Sequence, residues 1–128
     1  MRAVHFPYDR NNPYQRCLTA GLRSLGVSVE AGVASPWLPL RQVGWSGGGA
    51  DVVHLHWLKT MLTAGSLHRT LVKGTLFVLH LRRLRRAGVK LAWTAHNLKP
   101  HEPRFERMER RFRSSVARLA DEIGRAHV

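Results

Sequence analysis

Cysteine and acidic side chains are both scarce in this chain of 128 residues. Cys17 is the single thiol, so no disulfide can form within the chain, and nothing argues for an oxidising compartment. Eight Asp and Glu stand against 21 Lys and Arg, a formal net charge of +13. Such an excess draws phosphate-bearing partners: nucleic acid, anionic lipid head groups, or nucleotide and diphospho-lipid substrates. Charge does not choose among them. Long apolar runs are missing too. No stretch reaches the roughly 20 apolar residues of a membrane span, and the N-terminal MRAVHF lacks the apolar centre of a signal peptide. The expected location is the cytoplasm, with peripheral attachment to the inner face of the plasma membrane as an option.

Two chemical signatures are missing as well. A dinucleotide fold needs G-x-G-x-x-G after its first strand so that backbone can approach a pyrophosphate. Here Pro7-Tyr8-Asp9-Arg10-Asn11-Asn12-Pro13 contains no glycine, which argues against NAD or FAD held in that manner. There is no G-x-S-x-G elbow, and Cys17 falls inside a predicted helix, so a nucleophilic triad has no support.

What is present is an alternation of strand and helix signals. The hydrophobic share of 44% is ordinary for a globular domain. Residues 1–6 read as a strand. Asn12 offers a cap and Pro13 suits a first helical turn, while Tyr14, Leu18, Leu22 and Leu25 form an apolar stripe. Gly26 closes that helix, and residues 27–29 alternate like a second strand. Residues 32–50, with Pro36, Pro39 and Gly47-Gly48-Gly49, read as a loop, although Trp37, Leu38 and Trp45 predict that part of it packs or binds. Residues 51–57 form a third strand candidate, 66–87 a helix weakened by Gly74, 89–94 a fourth strand, and 103–120 a last helix. In the helix at 66–87, Leu67, Leu71, Phe77, Val78, Leu81 and Leu84 are expected to face the sheet. Val72, Leu76 and Leu79 then lie among Arg69, Lys73, Arg82, Arg83 and Arg86, a mixture suited to anionic lipid or to a partner protein. In the last helix Phe105, Met108, Phe112, Val116 and Leu119 form an ordinary core stripe. The order β-α-β-loop-β-α-β-α predicts an α/β fold, a Rossmann-like parallel sheet flanked by helices.

In such sheets ligands gather beyond the carboxyl ends of the strands. The first strand delivers Tyr8, Asp9, Arg10, Asn11 and Asn12 to that rim, the third His56 and Trp57, and the fourth His96 and Asn97. Uncharged hydrogen-bonding groups beside an aromatic ring suit a sugar or nucleotide cleft; solvated loop residues and caps would also account for them. His54 and His56 share one sheet face and, with His101 and Glu102, could bind a metal. The preferred reading makes one of the pair a packed, hydrogen-bonded core histidine, and no metal is assigned.

HFPYDRNNPYQR, ADVVHLHWL and GVKLAWTAHNLKPHE resemble, in that order, the N-terminal half of GT-B glycosyltransferases, in particular bacterial exopolysaccharide enzymes that transfer mannose or glucuronate to a lipid-linked acceptor. The likeness covers residues 1 to about 122. It implies that this domain holds the acceptor and that a C-terminal domain would grip the nucleotide sugar, a substrate rather than a cofactor; no cofactor is expected. It implies catalytic roles for His96, beside the transferred sugar, and for Glu102 or Asp9 as general base. Asn11, Asn12, Tyr14, His56, Trp57, Asn97 and His101 would bind substrate, with Asn11 and Asn12 standing where many relatives carry glycines. No nucleic-acid partner is expected on this reading. A small basic nucleic-acid-binding protein, resting on charge alone, is the alternative, and a metal-dependent hydrolase built on His54, His56, His101 and Glu102 is a third. Residues 1–122 are read as an incomplete domain, inactive alone. Residues 123–128 (IGRAHV) are read as an artificial tail, because they back-translate into a sequence resembling a library adapter. The sheet is therefore expected to end, exposed, at its fourth strand.

Overall fold

The computed structural model of the chain describes residues 1–62, 64–95 and 106–125. Five parallel strands, β1 (Arg2–Phe6), β2 (Ser28–Ala31), β3 (Val52–Leu55), β4 (Lys90–Ala95) and β5 (Glu122–Arg125), form one sheet in the order β2-β1-β3-β4-β5. The helices are α1 (Pro13–Ser24), the short α2 (Leu58–Leu62), α3 (Leu67–Arg86) and α4 (Glu106–Leu119). The α/β, Rossmann-like class read from the sequence is the observed one.

The direction of strand addition reverses between β1 and β3. With right-handed crossovers, α1 must then lie on one face of the sheet and α3 and α4 on the other. Side-chain alternation agrees. Val4, Phe6, Val53, Leu55 and Leu91 point into a core completed by Phe77, Leu81 and Leu84 of α3 and Phe112 and Val116 of α4. Ala3, His5, His54 and Thr94 point the other way.

Several expectations are corrected. The stripe on α3 runs through Thr70, Lys73, Gly74, Phe77, Val78, Leu81 and Leu84, all buried. Leu67 and Leu71 are instead 56% and 49% exposed, joining Val72 and Leu79 outside. Gly74 interrupts an apolar stripe for a steric reason: a Cβ there would fall on the ring of Phe112, so glycine lets α3 and α4 approach closely. On α1 the buried residues are Gln15 and Thr19; Tyr14 is exposed, and Leu25 stands past the helix end, 80% exposed. The sheet does not stop at β4. Asp121 joins β5 to it by a reciprocal pair, its backbone N–H donating to the Leu91 carbonyl and its Oδ2 accepting from the Leu91 N–H. Glu122–Arg125 then pair in parallel with Ala92–Ala95.

The loop between β2 and β3 packs in part, as its apolar content predicts. Leu40 and Val43 are buried, whereas Trp37 and Trp45 stay half exposed. Trp45 lies on the His80 ring, with the Arg83 guanidinium 5.6 Å from its own ring centre.

Candidate functional site

The switch point between β1 and β3 is where an open parallel sheet of this order offers a crevice. Phe6 is level with Leu55, and Leu55 with Trp93, so three neighbouring strands end at one edge. The His56 N–H donates to the Phe6 carbonyl at 2.8 Å, which extends the β1–β3 pairing into the loops.

Gln15 and Asn12 hold the loop after β1. Asn12 caps α1, its Oδ1 accepting from the Gln15 N–H at 3.2 Å, the cap that the sequence predicts. The buried Gln15 side chain reaches back across the turn. Its Nε2 donates to the Pro7 carbonyl and its Oε1 accepts from the Asp9 N–H. Asp9 in turn accepts from the Asn11 N–H at 2.9 Å, so one carboxylate oxygen braces its own turn. Asp9 and Asn11 are exposed and Asn12 is partly buried.

From β3, His56 is buried and Trp57 partly buried. Tyr14 meets His56 edge-on with ring centres 6.3 Å apart, and Trp57 lies 5.7 Å from the same ring. The structure thus brings together Tyr14, His56 and Trp57 from the predicted set, with Asp9, Asn11 and Asn12 on the adjoining turn. His96, Asn97, His101 and Glu102 lie outside the described residues, as does Phe105.

Two groups escaped sequence reasoning. His5 stands in register with His54 on the histidine face, and its Nδ1 is 3.0 Å from His56 Nε2. His54 Nε2 is 2.7 Å from Thr94 Oγ1. Burial pushes the His5 imidazole down to about 4, so at neutral pH it is uncharged. The signal was a histidine inside the first strand, but its meaning depends on register, which a single sequence does not carry. The second group lines a recess of about 280 Å³ bounded by Pro36, Trp37, Ala64, Gly65, Arg69 and Lys73. It sits at the N-terminal end of α3, where Ser66 caps the helix. Lys73 is 8% exposed, and burial lowers its pKa below the ordinary lysine value. An indole, two basic side chains and a helix N-terminus suit an anionic group on an otherwise uncharged ligand.

No family model matches the chain, and no solved structure matches it. Two curated relatives do, both GDP-mannose:glycolipid 4-beta-D-mannosyltransferases of Xanthomonas campestris pv. campestris. Each is 43% identical to the chain over 54 residues, 42% of this chain. The match spans 16% of the length of those relatives. Among the described residues no helix is long and apolar enough to cross a membrane. The partial similarity supports a relationship to glycosyltransferases; it does not reach a sugar, an acceptor or a reaction class.

Proposed function

We propose that the chain is the acceptor-holding half of a GT-B glycosyltransferase that moves a hexose from a nucleotide sugar to a lipid-linked or polysaccharide acceptor. The observation that carries this reading is the convergence of Tyr14, His56 and Trp57 at the β1–β3 switch point of a chain partly similar to a mannosyltransferase. Aromatic faces beside uncharged hydrogen-bonding groups suit a sugar, which offers apolar C–H faces and hydroxyls together. The cap at Asn12 and the brace at Gln15 keep the β1 loop in shape without a glycine-rich turn. Within the proposal His96 attends the transferred sugar, and Glu102 or Asp9 accepts the proton of the attacking hydroxyl if the transfer inverts. Asn97 and His101 complete the substrate contacts. The recess at Trp37, Arg69 and Lys73 takes the phosphate of a lipid-linked acceptor. The exposed Leu67, Leu71, Val72 and Leu79 on the arginine-rich α3 rest on an anionic membrane surface, as interfacial helices do. Nucleic acid is not part of this reading, because among the described residues no strand interleaves exposed aromatic and basic side chains.

The test is sugar transfer by the open reading frame that contains this chain, with GDP-mannose, UDP-glucose and UDP-glucuronate offered in turn with a lipid-linked saccharide. Trp57→Ala and His96→Ala are expected to lower transfer by roughly a hundredfold or more while leaving the circular dichroism unchanged. Wild-type turnover in both variants, or no transfer by the unmodified protein from any of the three donors, overturns the assignment.

A further inference from the structure

The three imidazoles at the switch point form a cluster with a property the transfer reading does not use. His5, His54 and His56 each offer a ring nitrogen, and these nitrogens all lie within 4.8 Å of one another. Two of them, His5 Nδ1 and His56 Nε2, are already 3.0 Å apart. Zinc–imidazole bonds of about 2.0–2.1 Å in a tetrahedron put the ligand nitrogens roughly 3.3 Å apart. One edge of such a site is therefore nearly formed, and the other two need a contraction that ring rotation can supply.

The surroundings fit a metal as well as the spacing does. A ligating histidine gives one nitrogen to the ion and the other to an outer partner that holds the ring. Thr94 Oγ1, 2.7 Å from His54 Nε2, is such a partner. His5 is fully buried, and its Nε2 has no hydrogen-bond partner among the described residues. With Nδ1 turned to the ion, this Nε2 would carry the ring proton and stay without a partner, so the outer partner that the structure shows for the site is Thr94. His5 and His54 stand level on paired strands, and His56, one residue past β3, is held by its N–H on the Phe6 carbonyl, so the scaffold of the site is rigid.

We propose that His5, His54 and His56 form a tri-histidine site for a divalent transition metal ion of the zinc class. The ion takes the place of the hydrogen shared by His5 and His56. That hydrogen moves to the other nitrogen of its own ring, and each ring then presents a lone pair. The present stacking of His54 on His56, with centres 4.2 Å apart, gives way to edge-on coordination. Three protein ligands leave a fourth position for water or a substrate oxygen. Imidazole ligands without thiolate or carboxylate favour zinc, cobalt, nickel or copper over calcium and magnesium. This ligand set differs from the one that sequence spacing suggests, since it draws on β1, and it stands whether or not the chain belongs to a sugar transferase.

Cobalt(II) is the direct probe. Metal-stripped 128-residue chain, checked for folding by circular dichroism, is titrated with CoCl₂ and then with ZnCl₂. The expected result is a tetrahedral cobalt absorption that saturates at a single ion per chain and is bleached by zinc. His54→Ala, at a partly buried position outside the apolar core, abolishes that absorption, and Thr94→Val weakens cobalt binding by about tenfold. His68→Ala, an exposed histidine on α3, leaves it unchanged. A folded wild-type chain without the absorption overturns the proposal and returns the three rings to a hydrogen-bonded cluster. Full binding retained in His54→Ala also overturns it, because the ion then sits on other residues.

Discussion

The two faces of the sheet are built on different physics. On one face Val4, Phe6, Val53, Leu55 and Leu91 meet Phe77, Leu81, Leu84, Phe112 and Val116, and stability comes from apolar area withdrawn from water. On the other, His5, His54, His56 and Thr94 meet through directed hydrogen bonds and ring stacks. The first face tolerates any well-shaped hydrocarbon. The second depends on protonation, tautomer and the shape of the β1 loop, properties suited to holding a ligand and costly in a part meant only to be stable. The carboxyl ends of the strands lie where the two regimes meet.

Four measurements break or sharpen that contrast. Phe77→Ala removes a fully buried ring from the apolar face and should lower unfolding stability by about 3–5 kcal/mol in urea titrations. A loss under about 1 kcal/mol would mean that this face is not a packed core. Acid should act on the histidines. His5, with its pKa lowered from 6.5 to about 4, is neutral in the fold, whereas the unfolded chain takes up a proton below 6.5. Its contribution is therefore intact above pH 6.5 and drains away as the pH falls towards 4, by about 3 kcal/mol in all. His80, also lowered by burial, works in the same direction. A urea midpoint that does not move between pH 7.5 and 4.5 would mean charged imidazoles in the fold.

Gly74→Ala tests the helix contact behind the apolar face. Helix propensity favours alanine by about 1 kcal/mol, but the methyl group meets the Phe112 ring, and overpacking of this kind costs about 1–3 kcal/mol. The net expectation is a lower melting temperature, and the double variant with Phe112→Leu should recover part of it. A higher melting temperature for Gly74→Ala alone would disprove the close packing. Asn12→Ala should have the smallest effect, about 1 kcal/mol from the lost cap. Its signature is the β1 loop, read as faster amide exchange at Asp9 and Gln15 with the rest of the sheet unchanged.

The order of the first four strands and the three longer helices, the cap at Asn12 and the core stripe Met108-Phe112-Val116-Leu119 on α4 were legible in the chain, because each depends on near neighbours. The phase of the stripe on α3 was not. Leu67 and Leu71 are apolar, but the arc that packs begins at Thr70 and Lys73, and only the neighbouring α4, with Phe112 over Gly74, selects it. The fifth strand was missed for a similar reason. Glu122–Arg125 has little apolar character, and what holds it is the reciprocal bond between Asp121 and Leu91, thirty residues apart. Of the candidate site, the rim positions Asn12, His56 and Trp57 could be proposed from strand ends alone, whereas Tyr14 entered only through the family resemblance.

What the sequence by itself determined is local: alternation that builds strands, spacing that builds helices, side chains that start and stop them, and a charge of +13 that no fold can alter. What only the tertiary structure decided is juxtaposition. His5 and His56, 51 residues apart, face each other because β1 and β3 pair in one register, and a shift of a single residue would turn His5 to the opposite face. Register is settled by burial summed over the whole sheet, and no segment of the chain carries that sum alone.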